Sequence, residues 1–360
     1  MKVCPIEDSR NMSIRNLNTA TSSQPGTPLP ESIVTFAHKC FQCGLCNDVC
    51  PTNSHREEMM LHLKSKLIDS LPKERRAELA IKGRRLGFVG NVKQKFAKNK
   101  NLLGPLLPAY EKREFSECDT LFYFGCYMLS PTEIQHNTII IANKLGIEYE
   151  IIGGLKYCCG MPHYYSGEID KAEDMHNDLL EAIKVVNPKV VITSCAECHE
   201  ALKNMQRKMG ATFKVMTTTE WILKNISNLQ LKKLSDKVVF HESCKYKRKE
   251  NMAEHGREII RKVADLAEFK DKKVANICCG TFGNDSEGVA EMHEKKMQGA
   301  KETNKMCVEC VHCWEGFANS ADSAGVKLTD ITSLVVKALV DKDIAQPKEA
   351  KPEEIFEGEQ

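Results

Sequence analysis

Polar residues dominate the first thirty positions, and the stretch Thr21-Ser-Ser-Gln-Pro-Gly-Thr-Pro28 has no apolar periodicity. Such a segment cannot bury enough apolar surface to offset its ordering entropy, so residues 1–30 are expected to form a flexible arm. Over 55–113 apolar positions recur at three- and four-residue spacing, as in Met59, Met60, Leu63, Leu67 and Ile68, which predicts helix. From residue 117 the texture changes. Short apolar runs, expected as strands at 120–125, 148–152 and 189–193, alternate with amphipathic stretches, expected as helices at 134–145, 168–186 and 195–209. The plan then repeats: a strand at 237–242, a helix to about residue 267, a strand at 274–277, a further helix, and a last helix over 328–340. Strands alternating with helices of this length predict an α/β fold built on small parallel sheets. The stretch 341–360 has seven acids against three bases and two prolines, and is expected to be a disordered acidic tail.

The chain is 360 residues long, enough for two or three domains with ordinary cores. A net charge of +2 leaves no global attraction for nucleic acid, so any basic feature must be local. One exists: Lys73 to Arg113 has twelve Lys or Arg against three Glu, as in Lys82-Gly-Arg-Arg85. It reads as a solvated surface or as a docking patch for an acidic redox partner; with aromatics at 6% and no stacking set, no nucleic-acid role is expected. The start Met1-Lys-Val-Cys-Pro5 lacks the apolar core of a signal peptide, and runs such as Thr138-Ile-Ile-Ile-Ala142 are far shorter than a spanning helix. A cytoplasmic chain with no direct membrane span is expected, associated with a membrane only through a partner subunit.

Seventeen cysteines change the picture. A disulfide scaffold belongs to small secreted domains, so thiolate ligation of metal is the main reading. The run Cys40-Phe-Gln-Cys43-Gly-Leu-Cys46-Asn-Asp-Val-Cys50-Pro51 has the C-x2-C-x2-C-x3-C-P spacing of bacterial ferredoxins, which wraps a cubane [4Fe-4S] cluster. Structural zinc uses separated pairs instead. Either Cys4, from Cys4-Pro5, or Cys50 completes the cluster of Cys40, Cys43 and Cys46, Cys4 being favoured; Cys50 is then spare or serves a cluster completed by a partner.

The rest of the cysteines form an internal repeat. A lone Cys126, the doublet Cys158-Cys159-Gly160 and the pair Cys195/Cys198 are followed by Cys244, Cys278-Cys279-Gly280 and a cluster at Cys307, Cys310 and Cys313. The offsets are 118 for the lone cysteine, 120 for the doublet and 115 for the pair when Cys310 and Cys313 are chosen. That register, and the shared Glu two residues after each pair, selects Cys310/Cys313 and leaves Cys307 as a competing ligand. Cys118 belongs to no set. The five cysteines of the first set fall just past the ends of expected strands, the edge where open parallel sheets bind ligands. Adjacent cysteines diverge too far for one tetrahedral ion but suit two irons of one cluster, and five thiolates exceed the four a cubane takes. His163, Tyr164 and Tyr165 can line a cavity or be plain loop residues, the latter favoured; His199, His241 and His312 lie beside cysteines but are not expected as ligands.

The doubled pattern C-x31-CCG-x34-C-x2-C and C-x33-CCG-x29-C-x2-C resembles the cysteine-rich CCG domains of heterodisulfide reductase, which stand in tandem in its B-type polypeptide. With a ferredoxin-type segment ahead of it, the chain also resembles the D-type polypeptide, fused C–B forms, and the iron–sulfur subunits of glycolate, lactate and anaerobic glycerol-3-phosphate oxidoreductases. The resemblance, over about residues 35–320, implies a helical ferredoxin-type domain 31–116 and CCG domains 117–233 and 234–340, flanked by the arm 1–30, able to supply Cys4, and the tail 341–360. It implies one cubane cluster and two noncubane [4Fe-4S] clusters, the first on Cys126, Cys158, Cys159, Cys195 and Cys198, the second on Cys244, Cys278, Cys279, Cys310 and Cys313. A small disulfide would be reduced, or thiols oxidised, between them in an anaerobic setting. The short gap before Cys310 and the single ferredoxin motif depart from the family. With neither G-x-G-x-x-G nor a P-loop lysine, no flavin or nucleotide is expected here, so a separate flavoprotein, ferredoxin or membrane cytochrome is the expected electron partner. The alternative is an electron relay for a hydroxy-acid or glycerol-3-phosphate dehydrogenase, or a quinone-linked protein docked on a cytochrome b.

Overall fold

Thr120-Leu-Phe-Tyr-Phe124 is apolar at successive positions, and such a run is stable only where both faces of its sheet are covered. In a computed structural model it is strand β1, with Leu121, Phe122, Tyr123 and Phe124 all fully buried. Each such side chain contributes roughly 1.5–3 kcal/mol by leaving water. The structure describes residues 4, 6, 12–24, 26–72, 74–75, 114–129, 132–249, 252–281 and 286–340. The basic stretch beyond Arg75 and the acidic tail lie outside them.

β1 pairs in parallel with β2 (Glu150–Gly153) and β3 (Val190–Thr193), and β3 pairs with β4 (Lys214–Thr217), giving the order β2-β1-β3-β4. The second sheet repeats this with β5 (Lys237–His241), β6 (Asp265–Ala267), β7 (Lys305–Val308) and β8 (Lys327–Asp330), in the order β6-β5-β7-β8. The α/β expectation holds: two small parallel sheets follow a helical N-terminal segment. In each sheet the order reverses between the central strands, which is where a doubly wound sheet opens a ligand crevice. One continuous core joins the two, with Leu334 and Val335 of the Ile331–Ala338 helix packed in the same cluster as Ile139 and Ile141. Across this seam Asn137 Nδ2 donates to Ser333 Oγ at 3.0 Å.

Three sequence expectations need correction. The strand expected at 274–277 is a helical turn, Lys272–Ala275, because Asp271 accepts from the Lys273 N–H and caps it; the strand is β6, which follows the Ala253–Val263 helix. The last helix begins at Ile331, not Leu328, since Lys327–Asp330 is edge strand β8 and Asp330 caps the helix with its carboxylate. The arm at 1–30 includes a docked helix, Ile14–Ser22, started by Ser13, whose side chain accepts from the Asn16 N–H. Leu17 and Ala20 lie one turn apart on its inner face, and with Ile6 and Met12 they bury against Ile33, Phe36, Met60 and Leu63. Four well-spaced apolar residues suffice once a neighbouring surface receives them.

The first residues of the second sheet are held by charge. Asp236 takes ion pairs from Lys305 and from Lys337, the latter at 2.6 Å, tying β5 to β7 and to the final helix. These partners hold its carboxyl below the usual 3.8. The depressed value means the stabilisation is present above that ordinary value and is lost as pH falls through the folded one. Asp236→Asn is therefore expected to lower the unfolding midpoint at pH 7 by the equivalent of about 1 kcal/mol or less, the difference from wild type closing below about pH 4. Thermal melts at both pH values check this.

Candidate metal centres

Three of the four strands of the first sheet, β1, β2 and β3, deliver cysteines at their carboxyl ends. β1 leads through Gly125 to Cys126, and a Cβ on Gly125 would meet Cys198 Sγ at 2.5 Å, so only glycine lets the two loops close. β2 leads to Cys158, Cys159 and Gly160, and β3 to Cys195, whose sulfur accepts from the Cys198 N–H at 3.5 Å as it starts the Ala196–Met209 helix. Gly160 sits at φ 68° and Gly280 at φ 71°, which explains the third letter of each CCG: the chain turns left-handed directly after the doublet, a conformation that favours glycine. Cys126 and Cys158 sulfurs lie 3.4 Å apart, Cys159 bonds to both Cys158 and Cys198, and Cys198 bonds to Cys195. All five predicted thiols therefore form one buried set.

The second set assembles the same way. Cys244 and Cys278 sulfurs are 3.9 Å apart, Cys279 bonds to Cys278 and to Cys313, and Cys313 bonds to Cys310. Cys307 is not brought to it. It lies inside β7 between Met306 and Val308, its sulfur lies 3.7 Å from the Val308 carbonyl oxygen, and its charged neighbours are Asp330, Glu309 and Lys305. Behind each doublet stands a histidine that no sequence motif marks. His293 Nε2 meets the Cys279 carbonyl at 2.9 Å, and His176, 117 residues earlier, bonds to the Cys159 backbone.

The electrostatics of these sets suit a cationic guest. The thiol of Cys126 is pushed well up by its bond to Cys158 and by burial, and Cys198 by its bonds to Cys159 and Cys195. In the second set Cys278 pulls Cys279 down to about 5, while Cys313 is pushed well up by its bond to Cys279. Five buried sulfurs so close cannot all ionise by themselves; bound metal cations remove that conflict, because a coordinating thiol is deprotonated outright. The helices beginning at Ala196 and Val311 also aim their positive N-terminal ends at the sets. The donor sets thus fit iron–sulfur clusters.

Cys4, Cys40, Cys43, Cys46 and Cys50 line a third, apolar cavity of about 240 Å³, walled by Ile6, Phe36, Phe41 and Met60. The loop winds tightly because Gln42 (φ 54°) and Gly44 (φ 72°) are both left-handed. Burial pushes Cys43 up to about 11, and Cys46 rises further through burial and the nearby Cys40, Cys43, Glu57 and Cys4. Cys50 differs: its sulfur lies 3.2 Å from Thr52 Oγ1 and accepts from the Ser54 N–H at 3.4 Å, which pulls it down to about 6.

The three groups adjoin one another. Cys43 lies against Cys244 and Cys278, so the N-terminal cavity abuts the second set. The two repeat sets meet where the Ala196 N–H donates to Cys310 Sγ at 3.4 Å and the Val311 N–H to the Ser194 carbonyl at 3.2 Å. Tyr246 is buried between Cys310 and Cys195. His312 reaches across to the first set. Burial favours its neutral ring, but Glu197 Oε2 at 3.5 Å and Cys195 raise it to about 10, and Cys195, Glu197 and His312 gather within 4.8 Å. Below them Lys245 Nζ donates to the Gln42 carbonyl at 2.8 Å, lies 3.7 Å from Glu200 and sits over the Tyr165 ring, whose hydroxyl donates to Glu200. Lys245 and Glu200 were not among the residues expected at the site; the run Cys244-Lys-Tyr-Lys-Arg-Lys249 was the available signal.

Of the aromatic and histidine candidates, Tyr165 joins this junction, His163 pairs with Glu168 at 2.7 Å beside Cys158, and Tyr164 is only half-buried. His199 packs edge-on against Tyr246 and is lowered by burial to about 4; His241 packs edge-on against Phe317.

Comparison with known proteins matches the cysteine-rich CCG domain twice, over residues 120–203 and 238–316. The chain is 24% identical to the D polypeptide of the dihydromethanophenazine:CoB–CoM heterodisulfide reductase of Methanosarcina acetivorans, over 84% of this chain and 78% of that one. It is 30% identical to an uncharacterised iron–sulfur protein of Methanococcus maripaludis, over 48% of this chain and 34% of that one. It is 25% identical to the B polypeptide of the CoM/CoB fumarate reductase of Methanothermobacter marburgensis, over 61% and 46%. Among the described residues no helix is long and apolar enough to cross a membrane.

Proposed function

The chain carries two tandem CCG cysteine-rich domains and is homologous to the D polypeptide of heterodisulfide reductase and to related iron–sulfur proteins, and from that premise we propose that it is the electron-transferring iron–sulfur subunit of a heterodisulfide-reductase-like complex, acting on a thiol/disulfide couple. One observation carries the reading: two complete five-cysteine sets stand face to face across the Ala196–Cys310 contact, with the N-terminal cysteines against the second. Cys40, Cys43 and Cys46, with Cys4, would hold a cubane [4Fe-4S] cluster; the two repeat sets would each hold a noncubane one. When bound, these groups supply single electrons and iron sites able to stabilise an emerging thiolate.

The chain's own residues do the remaining work. Cys43, Cys244 and Cys278 define the side on which electrons arrive, which makes the second repeat proximal and the first distal. Ala196 and Val311 lock the two cysteine loops together, so a disulfide bridging the sets would have each sulfur presented to one of them. Gly125, Gly160 and Gly280 keep the thiols converged. A flavoprotein, ferredoxin or membrane cytochrome would bring the electrons. The relay alternative uses the same path but requires no response to thiols.

Electron paramagnetic resonance of the anaerobically purified, oxidised protein tests the proposal. A new paramagnetic signal on adding thiol is the expected result. Only about four irons per chain, with no thiol response, would leave a relay with a single cubane.

A further inference from the structure

Arg248 stands where the N-terminal cysteines meet the second set, and its surroundings are unlike those of a surface arginine. Its side chain is 6% exposed although it lies within a run of five residues, Lys245 to Lys249, of which four are basic. Nε donates to Asp48 Oδ2 at 2.7 Å, just past Cys46, and Nη1 donates to the Cys43 carbonyl at 3.0 Å. Its aliphatic stem passes so close to Gly44 that a Cβ there would meet Arg248 Cδ at 3.2 Å. Nη2 is buried and makes no hydrogen bond among the described residues. The charge lies near both the Cys43 and the Cys244 thiols. A buried guanidinium with an unspent N–H is costly unless something accepts it.

We propose that Arg248 is the positioning residue that fixes the N-terminal cysteine loop against the second CCG set and spends its remaining N–H on a sulfur of the groups held there. This rests on the reading of the three cysteine sets as cluster sites. Two of its donors set the spacing: one anchors the carbonyl of Cys43 itself, the other the helical turn that carries Cys46. The third, with the fixed positive charge, favours the more reduced and more negative state on either side, as hydrogen bonds to cluster sulfurs do. The step it serves moves one electron from the N-terminal side, which is oxidised, to the second set, which is reduced; no bond or proton changes place. Lysine cannot replace it, because only a planar fork reaches the carboxylate, the carbonyl and a sulfur at once.

Arg248→Met and Arg248→Lys, with Asp48→Asn as a milder variant at an exposed carboxylate, test this in the full chain. Iron content and the low-temperature resonance signals report whether the groups load. Given wild-type iron content, Arg248→Met is expected to make the reduction potentials of the N-terminal and second-set signals more negative. It is also expected to slow the rise of the second-set signal, followed by rapid freezing after mixing with reductant, at least tenfold. Arg248→Lys should recover part of the potential and little of the rate, and Asp48→Asn should slow the rate with the potential nearly unchanged. Unchanged potentials and rates in Arg248→Met with full iron would overturn the assignment. If the wild type itself shows no second-set signal, it is the cluster reading that has failed and not the role of Arg248 alone.

Discussion

Serine at Cys159 is expected to cost more than a hundredfold in disulfide turnover while the resonance signal of the N-terminal cysteines stays at wild-type strength. Cys159 is the centre of its set, bonded on one side to Cys158 and on the other to Cys198. Losing a group that merely supports a metal ligand already costs about 10–100-fold, and removal of a ligand exceeds that. The N-terminal signal should survive because Cys43 abuts Cys244 and Cys278 of the second set, whereas Cys159 bonds within the first. Cys279→Ser is expected to be as severe and to differ in one respect. The first set should then load normally yet fail to be reduced, because the break falls upstream of it. Measured turnover within a few-fold of wild type for either variant would show that the doublets are not where the chemistry occurs.

That arrangement was only partly legible in the residues. The two sets could be read because duplication repeats cysteines at nearly constant offsets, and because β1 and β5 announce themselves as apolar runs ending just before a cysteine. Edge strands were harder. Lys214-Val-Met-Thr217 and Lys327-Leu-Thr-Asp330 are four residues long and pass directly into helices capped by Thr217 and Asp330, so the helix signal absorbs them. The false strand at 274–277 arose from expecting the same short step from strand to doublet in both copies. In fact β2 ends five residues before Cys158 and β6 eleven before Cys278, the extra length being taken up by the Lys272–Ala275 turn. What no local pattern could supply is the order of the sets in space. Cys43 and Cys244 are 201 residues apart, and Arg248, Lys245 and the close packing at Gly44 bridge the two loops where they meet. His312 likewise lies in one repeat by sequence and serves the surroundings of Cys195 in the other.

The choice between Cys4 and Cys50 yields the second large effect. A fourth thiolate must converge on the sulfurs of Cys40, Cys43 and Cys46. Cys4 is near enough to Cys46 to push its thiol upward, whereas Cys50 is committed to its own loop through Thr52, Ser54 and Arg56. Those same bonds pull Cys50 down to about 6. A lowered thiol value means that the thiolate is already the main form at neutral pH and that its reactivity climbs through pH 6 instead of near 9. Cys4→Ser is therefore expected to abolish the N-terminal resonance signal and remove up to about four irons per chain. Cys50→Ser should keep both. In the wild type, anaerobic alkylation should then label Cys50 alone among Cys4, Cys40, Cys43, Cys46 and Cys50, with a rate that falls as pH drops through about 6. Loss of the signal in Cys50→Ser, with Cys4→Ser retaining it, would reverse the assignment: Cys50 would be the fourth ligand, and the close approach of Cys4 to Cys46 would be packing alone.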